Sequence, residues 1–307
     1  MFPPVLLKSL FPVDFSGRMV ILSREKQDAE MKIDILLKDW AAQLAAAGVE
    51  SPRLEAEIFY AEAAKVRRGS WMPDAEADPD VIRLVQPWIA RRVKREPLQY
   101  ILGTAPFRDL DLLVTADVLI PRPETELLVD WVLQNLPRGG RLLDVGTGSG
   151  CIPLSVAYER PDAEVTAVDI SPAALAVAKK NAEKYQLNVR FLESDLLGSV
   201  EGIFDVITAN LPYVTDEEYA ALEPELFFEP RTALTAPENG MALVLRLAKE
   251  APARLVPGGR IIWEVGDWQA PGLAEFLRAA GYCDVTILQD YCNVQRFVAA
   301  GISHVQM

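Results

Sequence analysis

Histidine is nearly absent from this chain of 307 residues, which holds a single one, His304, close to its C-terminus. Triads that pair serine or cysteine with histidine, histidine-rich zinc sites and two-histidine iron sites all need imidazoles that this chain lacks. Any chemistry here must therefore rely on backbone groups, amides, carboxylates or a bound cofactor. We predict no metal site.

Cysteine and positive charge are also scarce. The three cysteines, Cys151, Cys283 and Cys292, are an odd number and lack the paired spacing of a zinc site, so we predict reduced thiols in a cytoplasmic protein. At the start of a helix, Cys151 is interpreted as a small packing residue and not as a nucleophile. Lysine and arginine number 31 against 44 acidic residues, a net charge of −13, which argues against general nucleic-acid binding.

Long apolar runs are missing as well. Pro12, Asp14 and Gly17 interrupt the apolar stretches of the first thirty residues, and no run reaches the roughly 18 residues that a membrane span needs. A signal peptide also fits poorly, because basic residues do not precede the apolar stretch. We therefore predict an N-terminal extension over residues 1–30, with Met31 as an alternative start, and no membrane partner.

The remaining composition is that of a globular protein, with 50% apolar and 24% charged residues, and the length favours about two domains. Helical periodicity predicts a small helical domain over residues 31–96, and alternating apolar residues predict a hairpin linker over residues 97–122. The predicted core positions of the three helices are Ile33, Leu36, Leu37, Trp40 and Leu44; Leu54, Ile58 and Phe59; and Ile82, Val85, Trp88, Ile89 and Val93. The basic run Arg91, Arg92, Lys94 and Arg95 is interpreted as a solvated helix face, with contact to an acidic partner as the alternative.

Residues 123–307 alternate between strand and helix patterns, beginning with a helix from Pro123. Such alternation predicts an α/β fold with a doubly wound, mostly parallel sheet. The predicted strands are 141–146, 163–170, 189–194, 204–210, 259–266, 284–290 and 294–300. The predicted helices between them are 150–159, 172–186, 239–254 and 268–280.

A glycine-rich loop follows the first strand of this sheet, with the pattern G-x-G-x-G at Gly146, Gly148 and Gly150. Ligands of such sheets bind at the carboxyl ends of the strands, where glycines let the backbone approach them closely. Cys151 takes the place of the third glycine of a dinucleotide fingerprint, which disfavours nicotinamide cofactors. Asp169, at the end of the second strand, is placed to accept hydrogen bonds from a ribose diol. Together these residues favour a nucleoside ligand.

The fourth strand ends in the tetrad Asn210-Leu211-Pro212-Tyr213. Together with the glycine loop and Asp169, the tetrad resembles the active-site signature of S-adenosyl-L-methionine-dependent enzymes that methylate planar amide or amino nitrogens. These enzymes include adenine N6 methyltransferases and release factor glutamine methyltransferases.

Further blocks of residues 31–300 resemble the release factor glutamine methyltransferase family in particular. They are EPLQYILG (96–103), LIPRPETE (119–126), DVGTGSG (144–150), AVDIS (167–171), EPRTAL (229–234), EVG (264–266), and Asp290 with Arg296. LIPRPETE is the most specific, because general nucleic-acid methyltransferases do not share it. The one departure is Leu211, where the family usually has proline; Asn-Leu-Pro-Tyr resembles ribosomal-RNA adenine dimethyltransferases.

The resemblance implies a class I methyltransferase fold with a seven-stranded sheet, and S-adenosyl-L-methionine as the cofactor. The residues implied to wrap its amino-acid end and ribose are Gly146, Thr147, Gly148, Ser149 and Gly150. Asp169 would bind the ribose hydroxyls, and the Asp195-Leu196 turn would face the adenine. Arg122 and Glu124 would line the cofactor entrance, with a buried ion pair between them as the alternative.

The tetrad is implied to carry the chemistry. The Asn210 side-chain oxygen and the Leu211 carbonyl would accept the two N–H groups of the substrate amide and orient its nitrogen. Pro212 would stiffen the loop, and Tyr213 would stack on the amide plane. Phe107 would close the other side of the pocket, or else be a core aromatic.

The function that this resemblance implies is transfer of a methyl group to the side-chain nitrogen N5 of a glutamine in class I peptide chain release factors. Because a lone glutamine offers too few contacts for selection, we predict that residues 31–96 help to recognise that protein. The alternative activity is adenine N6 methylation of RNA or DNA, which Leu211 favours and the acidic charge balance disfavours. A third possibility is a cofactor-binding interaction protein without catalysis.

Overall fold

A computed structural model describes residues 31–303, and the chain divides into two compact units between Leu98 and Gln99. The predicted extension over residues 1–30 and His304 lie outside the described residues. None of the helices in residues 31–303 is long and apolar enough to cross a membrane.

From residue 31 onward the first unit contains the helices α1 (Ile33–Ala46), α2 (Pro52–Ala64) and α3 (Pro79–Arg92). The five apolar positions predicted for α1 are all buried, and Gly48, with φ of +78°, ends it in a left-handed conformation that suits glycine. The prediction for α2 is partly wrong: Phe59 is buried as predicted, but Leu54 is exposed and Ile58 only half-buried, and the helix also buries Ala56, Tyr60 and Ala61. Val93, which was predicted to be a core position of the third helix, lies just after the end of α3 and is exposed.

The interpretation of the basic run as a solvated face is wrong for Arg92, which is buried and pairs with Glu55 at 2.6 Å. Arg91 pairs with Glu96, and the Arg95 guanidinium donates to the carbonyl of Gly48 at 2.8 Å. A charged side chain leaves water only when it is paired. Arg92 therefore connects α3 to α2, and Arg95 connects the segment after α3 to the end of α1.

A short helix, α4 (Leu98–Leu102), is followed by an antiparallel hairpin of β1 (Thr104–Phe107) and β2 (Leu110–Leu113), as predicted. The helix predicted to begin at Pro123 starts as a single 3-10 turn, Pro123–Thr125, and continues as α5 (Glu126–Asn135).

The remainder of the second unit is a seven-stranded sheet with the strand order β5-β4-β3-β6-β7-β9-β8. Its strands are β3 (Arg141–Val145), β4 (Glu164–Asp169), β5 (Val189–Glu193), β6 (Phe204–Asn210), β7 (Leu255–Glu264), β8 (Cys283–Gln289) and β9 (Gln295–Gly301). The intervening helices are α6 (Cys151–Glu159), α7 (Pro172–Tyr185), α8 (Asp216–Tyr219), α9 (Ala242–Glu250) and α10 (Gln269–Ala279). Strands β5, β4, β3, β6 and β7 are parallel, and β9 is antiparallel to both β7 and β8. The predicted doubly wound α/β fold is confirmed.

Both faces of the sheet are covered, so the central strands β3, β6 and β7 bury apolar side chains on both sides. Successive side chains of a strand point to opposite faces. Accordingly Ile261 and Trp263 of β7 belong to one core cluster, whereas Ile262 belongs to the other. The strand order reverses between β3 and β6, so the carboxyl ends of these strands border a crevice where a ligand can bind.

Candidate active site

The glycine loop after β3 is held against the neighbouring strand β4. The backbone N–H groups of Gly146 and Thr147 both donate to the carbonyl of Val168, at 2.9 and 3.0 Å. Gly146, Gly148 and Gly150 all have positive φ, which glycine adopts at little cost. A side chain at Gly150 would also meet Leu154 at 2.9 Å. The loop can therefore turn sharply and present its backbone to a ligand.

Asp169, the last residue of β4, connects this loop to the start of α7. Its Oδ2 accepts from the Gly148 N–H and its Oδ1 from the Ser171 N–H, both at 2.9 Å. Burial raises the pKa of Asp169, and these two backbone hydrogen bonds oppose that rise. A carboxylate can accept about four hydrogen bonds, so Asp169 retains acceptor capacity for the hydroxyls of a ligand.

A cavity that is open to solvent lies between the glycine loop and the tetrad. The predicted site residues that line it are Gly146, Thr147, Gly148, Ser149, Asp169, Leu196, Asn210, Leu211 and Pro212. Arg122 and Asp195 line it as well. The cavity combines apolar walls with a carboxylate and exposed loop backbone, which fits a nucleoside carrying a polar tail. Gly150, Tyr213 and Phe107 are not among the lining residues.

Asn210 ends β6 directly opposite Glu264, which ends β7. The Asn210 Nδ2 donates to the hydroxyl of Thr125 at 3.3 Å, and that hydroxyl donates to Glu264 Oε2 at 2.7 Å. Thr125 and Glu264 are buried, and burial raises the pKa of Glu264 to about 7. The tetrad asparagine is thus attached to a buried carboxyl group through one hydroxyl.

The Tyr213 backbone is held by Gln269, a buried residue at the start of α10. Gln269 Nε2 donates to the carbonyls of Tyr213 and Asn239, at 3.0 and 3.1 Å. Gly240 lies so close to the Tyr213 carbonyl that a Cβ there would approach the oxygen to 1.9 Å. Burial raises the pKa of the Tyr213 phenol, which faces Arg296. Together these contacts hold the end of the tetrad.

Leu211 contributes its side chain to the core. It is buried, and its Cδ2 lies 2.8 Å from the position that a Cβ at Gly146 would take. The isobutyl group thus packs directly against the first glycine of the cofactor loop. This contact links the two loops that line the cavity.

Two interpretations from the sequence need correction. Phe107 is 1% exposed and packs in the hydrophobic core with residues of β2, α5 and α6, so the structure places it as a core aromatic away from the cavity lining. Arg122 pairs with Glu229 at 2.6 Å and not with Glu124. Glu229 also accepts from the Ile120 N–H at 3.1 Å, which accounts for its burial. Burial raises the pKa of Cys151 to about 12, which fits its interpretation as a packing residue.

The sequence did not assign roles to Thr125, Glu229, Glu264 and Gln269. Three of them lie inside the blocks LIPRPETE, EPRTAL and EVG, which therefore held the available signal. No pattern marked Gln269, because an amide near the start of a helix is common. Within residues 31–303 no cluster of histidine, cysteine or acidic residues has the geometry of a metal site.

Comparison with known proteins identifies both parts of the chain. The family described as "PrmC N-terminal domain" matches residues 36–103, and "Methyltransferase small domain" matches residues 123–250. A methyltransferase from Pyrococcus furiosus shares the fold with a TM-score of 0.51 and 23% identity, over 64% of this chain and 90% of that one.

Curated relatives extend over most of the chain. The release factor glutamine methyltransferase of Geobacter sulfurreducens is 38% identical over 269 residues, which cover 86% of this chain and 95% of the relative. That of Bordetella pertussis is 42% identical over 252 residues, covering 80% of this chain and 93% of the relative. Identity of this extent, over both units, shows that the chain belongs to the release factor glutamine methyltransferase family.

Proposed function

We propose that this protein transfers a methyl group from S-adenosyl-L-methionine to the side-chain nitrogen N5 of a glutamine in class I peptide chain release factors. The observation that carries the proposal is that Asn210 opens into the same cavity as the glycine loop and Asp169. An amide-binding group and a nucleoside-binding loop therefore share one space, in a chain of this family.

The cofactor supplies an electrophilic methyl group on a sulfonium. In the proposed site Asp169 accepts hydrogen bonds from the ribose hydroxyls, and Leu196 packs against the adenine. The backbone of Gly146–Gly150 wraps the ribose and the amino-acid end. The free acceptor capacity of Asp169 and the positive φ of the three glycines support these roles.

An amide nitrogen is a poor nucleophile because its lone pair is delocalised into the carbonyl. In the proposed mechanism the Asn210 side-chain oxygen and the Leu211 carbonyl accept its two N–H groups and aim the nitrogen at the methyl group. Pro212 restricts the backbone so that the Leu211 carbonyl keeps its direction. Tyr213 would stack on the amide plane; Gln269 holds its backbone carbonyl, but its ring does not line the cavity in this structure. When the nitrogen takes the methyl group, the carbon–sulfur bond breaks to leave a neutral thioether, and the methylated nitrogen then releases one proton to water. Positioning thus replaces a general base in the transfer itself.

The alternative activity is adenine N6 methylation of RNA or DNA. It rested on Leu211, but that side chain is buried against Gly146, so the residue is explained by packing. The net charge of −13 also opposes general nucleic-acid binding. We propose a cytoplasmic protein that acts on a protein partner and not on a membrane, which the three unpaired cysteines support.

Incubation with radiolabelled S-adenosyl-L-methionine tests the function. A class I release factor should be labelled, whereas the same factor with its acceptor glutamine replaced by alanine and a structured ribosomal RNA should not. Labelling of the RNA, or equal labelling of the glutamine-free factor, would overturn the proposal.

We further propose that residues 31–96 recognise the release factor. A single glutamine side chain offers too few contacts to be selected among all proteins, so remote contacts must supply docking energy. A chain of residues 97–307 should bind cofactor normally in calorimetry and show a KM for intact release factor about tenfold higher or more. A short glutamine peptide is the control, since its KM should not change. Unchanged kinetics on the intact factor, in a truncated chain that binds cofactor, would assign recognition to the remaining residues.

A further inference from the structure

We propose that Thr125 and Glu264 are positioning residues that determine which end of the Asn210 amide faces the cavity, and that Glu264 does so in its ionised form. The inference rests on the proposed function in one respect, namely that the Asn210 oxygen accepts from the substrate amide. Nothing in the roles derived above uses either residue.

Three separate elements bring these residues together. Asn210 and Glu264 are paired residues at the ends of neighbouring strands β6 and β7, and Thr125 ends the 3-10 turn that precedes α5. Thr125 and Glu264 are 2% and 3% exposed, so neither is solvated by bulk water. The Thr125 hydroxyl lies between the other two groups, 2.7 Å from Glu264 Oε2 and 3.3 Å from Asn210 Nδ2.

The hydrogen-bonding capacity of each group sets the direction of this chain. An ionised carboxylate can only accept, so the single hydroxyl proton of Thr125 must point to Glu264. On the side that faces Asn210 the hydroxyl then has only lone pairs. It can accept a hydrogen bond from the amide nitrogen of Asn210, but it has no proton to donate to the amide oxygen. Asn210 must therefore turn Nδ2 toward Thr125, and its Oδ1 is left for the substrate. The observed geometry has this direction.

Protonation of Glu264 removes the constraint. A carboxylic acid can donate its proton to the Thr125 hydroxyl, and the hydroxyl proton is then free to bond to Asn210 Oδ1. The rotated amide would present an N–H group to the N–H of the substrate, and no hydrogen bond can form. The ionised form also polarises the hydrogen-bonded chain, which strengthens Oδ1 as an acceptor when positive charge develops on the attacking amide nitrogen.

The electrostatic surroundings place this change near neutral pH. Burial is the main cause of the rise in the Glu264 pKa to about 7; Glu124 raises it too, while the hydrogen bond from Thr125, the charge of Arg296 and the nearby Asn210 amide lower it. Tyr213 and Cys151 also face this group, and both are neutral near pH 7 because their own pKa values are raised. Glu264 is thus ionised above about pH 7 and protonated below it.

The kinetic test uses kcat at saturating cofactor and release factor between pH 5.5 and 9. In the intact protein we expect kcat to fall as the pH drops through about 7. Glu264→Gln should lose this dependence and lower kcat at pH 8 about five- to twentyfold, because a neutral amide permits both directions of the chain. KM and cofactor affinity should stay within about twofold, since the loss lies in the orientation of the reacting amide.

Thr125 supplies matched variants. Thr125→Val should lower kcat similarly and abolish its pH dependence, because without the hydroxyl the protonation state of Glu264 no longer sets the direction of the Asn210 amide. Thr125→Ser, which keeps the hydroxyl, should restore both kcat and pH profile. Glu275→Gln, an exposed acid on α10, is the neutral control. A flat profile in the intact protein, a wild-type rate in Glu264→Gln, or a loss confined to KM would each overturn the proposal.

A measurement without substrate separates this proposal from the proposed function. The side-chain amide resonances of Asn210 in the ¹⁵N-labelled full chain, assigned with Asn210→Ala, should shift as the pH passes through about 7. They should not shift in Glu264→Gln. An Asn210 amide that does not titrate contradicts the network, whereas a titrating amide in a protein that fails to methylate release factors contradicts only the proposed function.

Discussion

Asn210→Ala is expected to lower kcat about 100- to 1000-fold, the range for loss of one preorganised hydrogen-bonding group in an active site. The Asn210 oxygen is proposed to hold the substrate amide in its reactive orientation, so the loss falls on the transition state. Alanine also removes the donor to Thr125, but Thr125 and Glu264 remain bonded to each other. Single-turnover methylation of a class I release factor measures the effect directly.

Cofactor binding by Asn210→Ala should remain close to normal in calorimetry, because Asp169 and the glycine loop are unchanged. Asn188→Ala is the matched control, since Asn188 is exposed and lies outside the cavity lining. Turnover of Asn210→Ala within threefold of the unaltered protein would exclude Asn210 as the positioning group.

Asp169→Ala is expected to weaken S-adenosyl-L-methionine binding by about 2 to 4 kcal/mol, because two charge-assisted hydrogen bonds to the ribose are lost. The carboxylate also holds the N–H groups of Gly148 and Ser171. Its removal therefore loosens the loop that would surround the ligand and adds to the loss. Isothermal calorimetry gives the affinity.

Asp109→Ala is a suitable control for Asp169, because Asp109 is exposed in the hairpin turn and lies outside the cavity lining. The affinity of Asp169→Asn for S-adenosyl-L-methionine should lie between those of Asp169→Ala and the unaltered protein, since the amide oxygen can still accept a hydrogen bond but carries no charge. An Asp169→Ala protein with unaltered affinity would remove this residue from the cofactor site.

Sheet strands were predictable to within a few residues because each is a short apolar run between polar turns. The strand predicted at 204–210 matches β6, whereas β7 begins at Leu255, four residues before its predicted start at 259. The early part of β7 contains Pro257, Gly258 and Gly259, which are typical of turns. Pairing of Leu255 with Phe204 of β6 made this segment part of the sheet.

The site residues that could be predicted are those whose residue type, together with their position at the end of a strand, already indicates a role in the chemistry. A glycine pattern after a strand, an acid at the end of the next strand and the tetrad could all be found along the chain. Ion-pair partners could not be found in this way. Arg122 is 107 residues from its partner Glu229, whereas Glu124 lies in the same block of the sequence as Arg122. Sequence proximity favoured the wrong acid, and the choice depends on which carboxylate the fold buries.

The sequence by itself determined the doubly wound fold, the cofactor loop and the tetrad, because periodicity and local spacing are properties of the chain. Only the tertiary structure decided that Arg92 is buried, that Phe107 packs in the core, and that Glu264 comes to lie beside Asn210. Burial and the partners of a charged group are set by strands and helices that are distant in sequence. The pKa of Glu264 and the direction of the Asn210 amide follow from that arrangement alone.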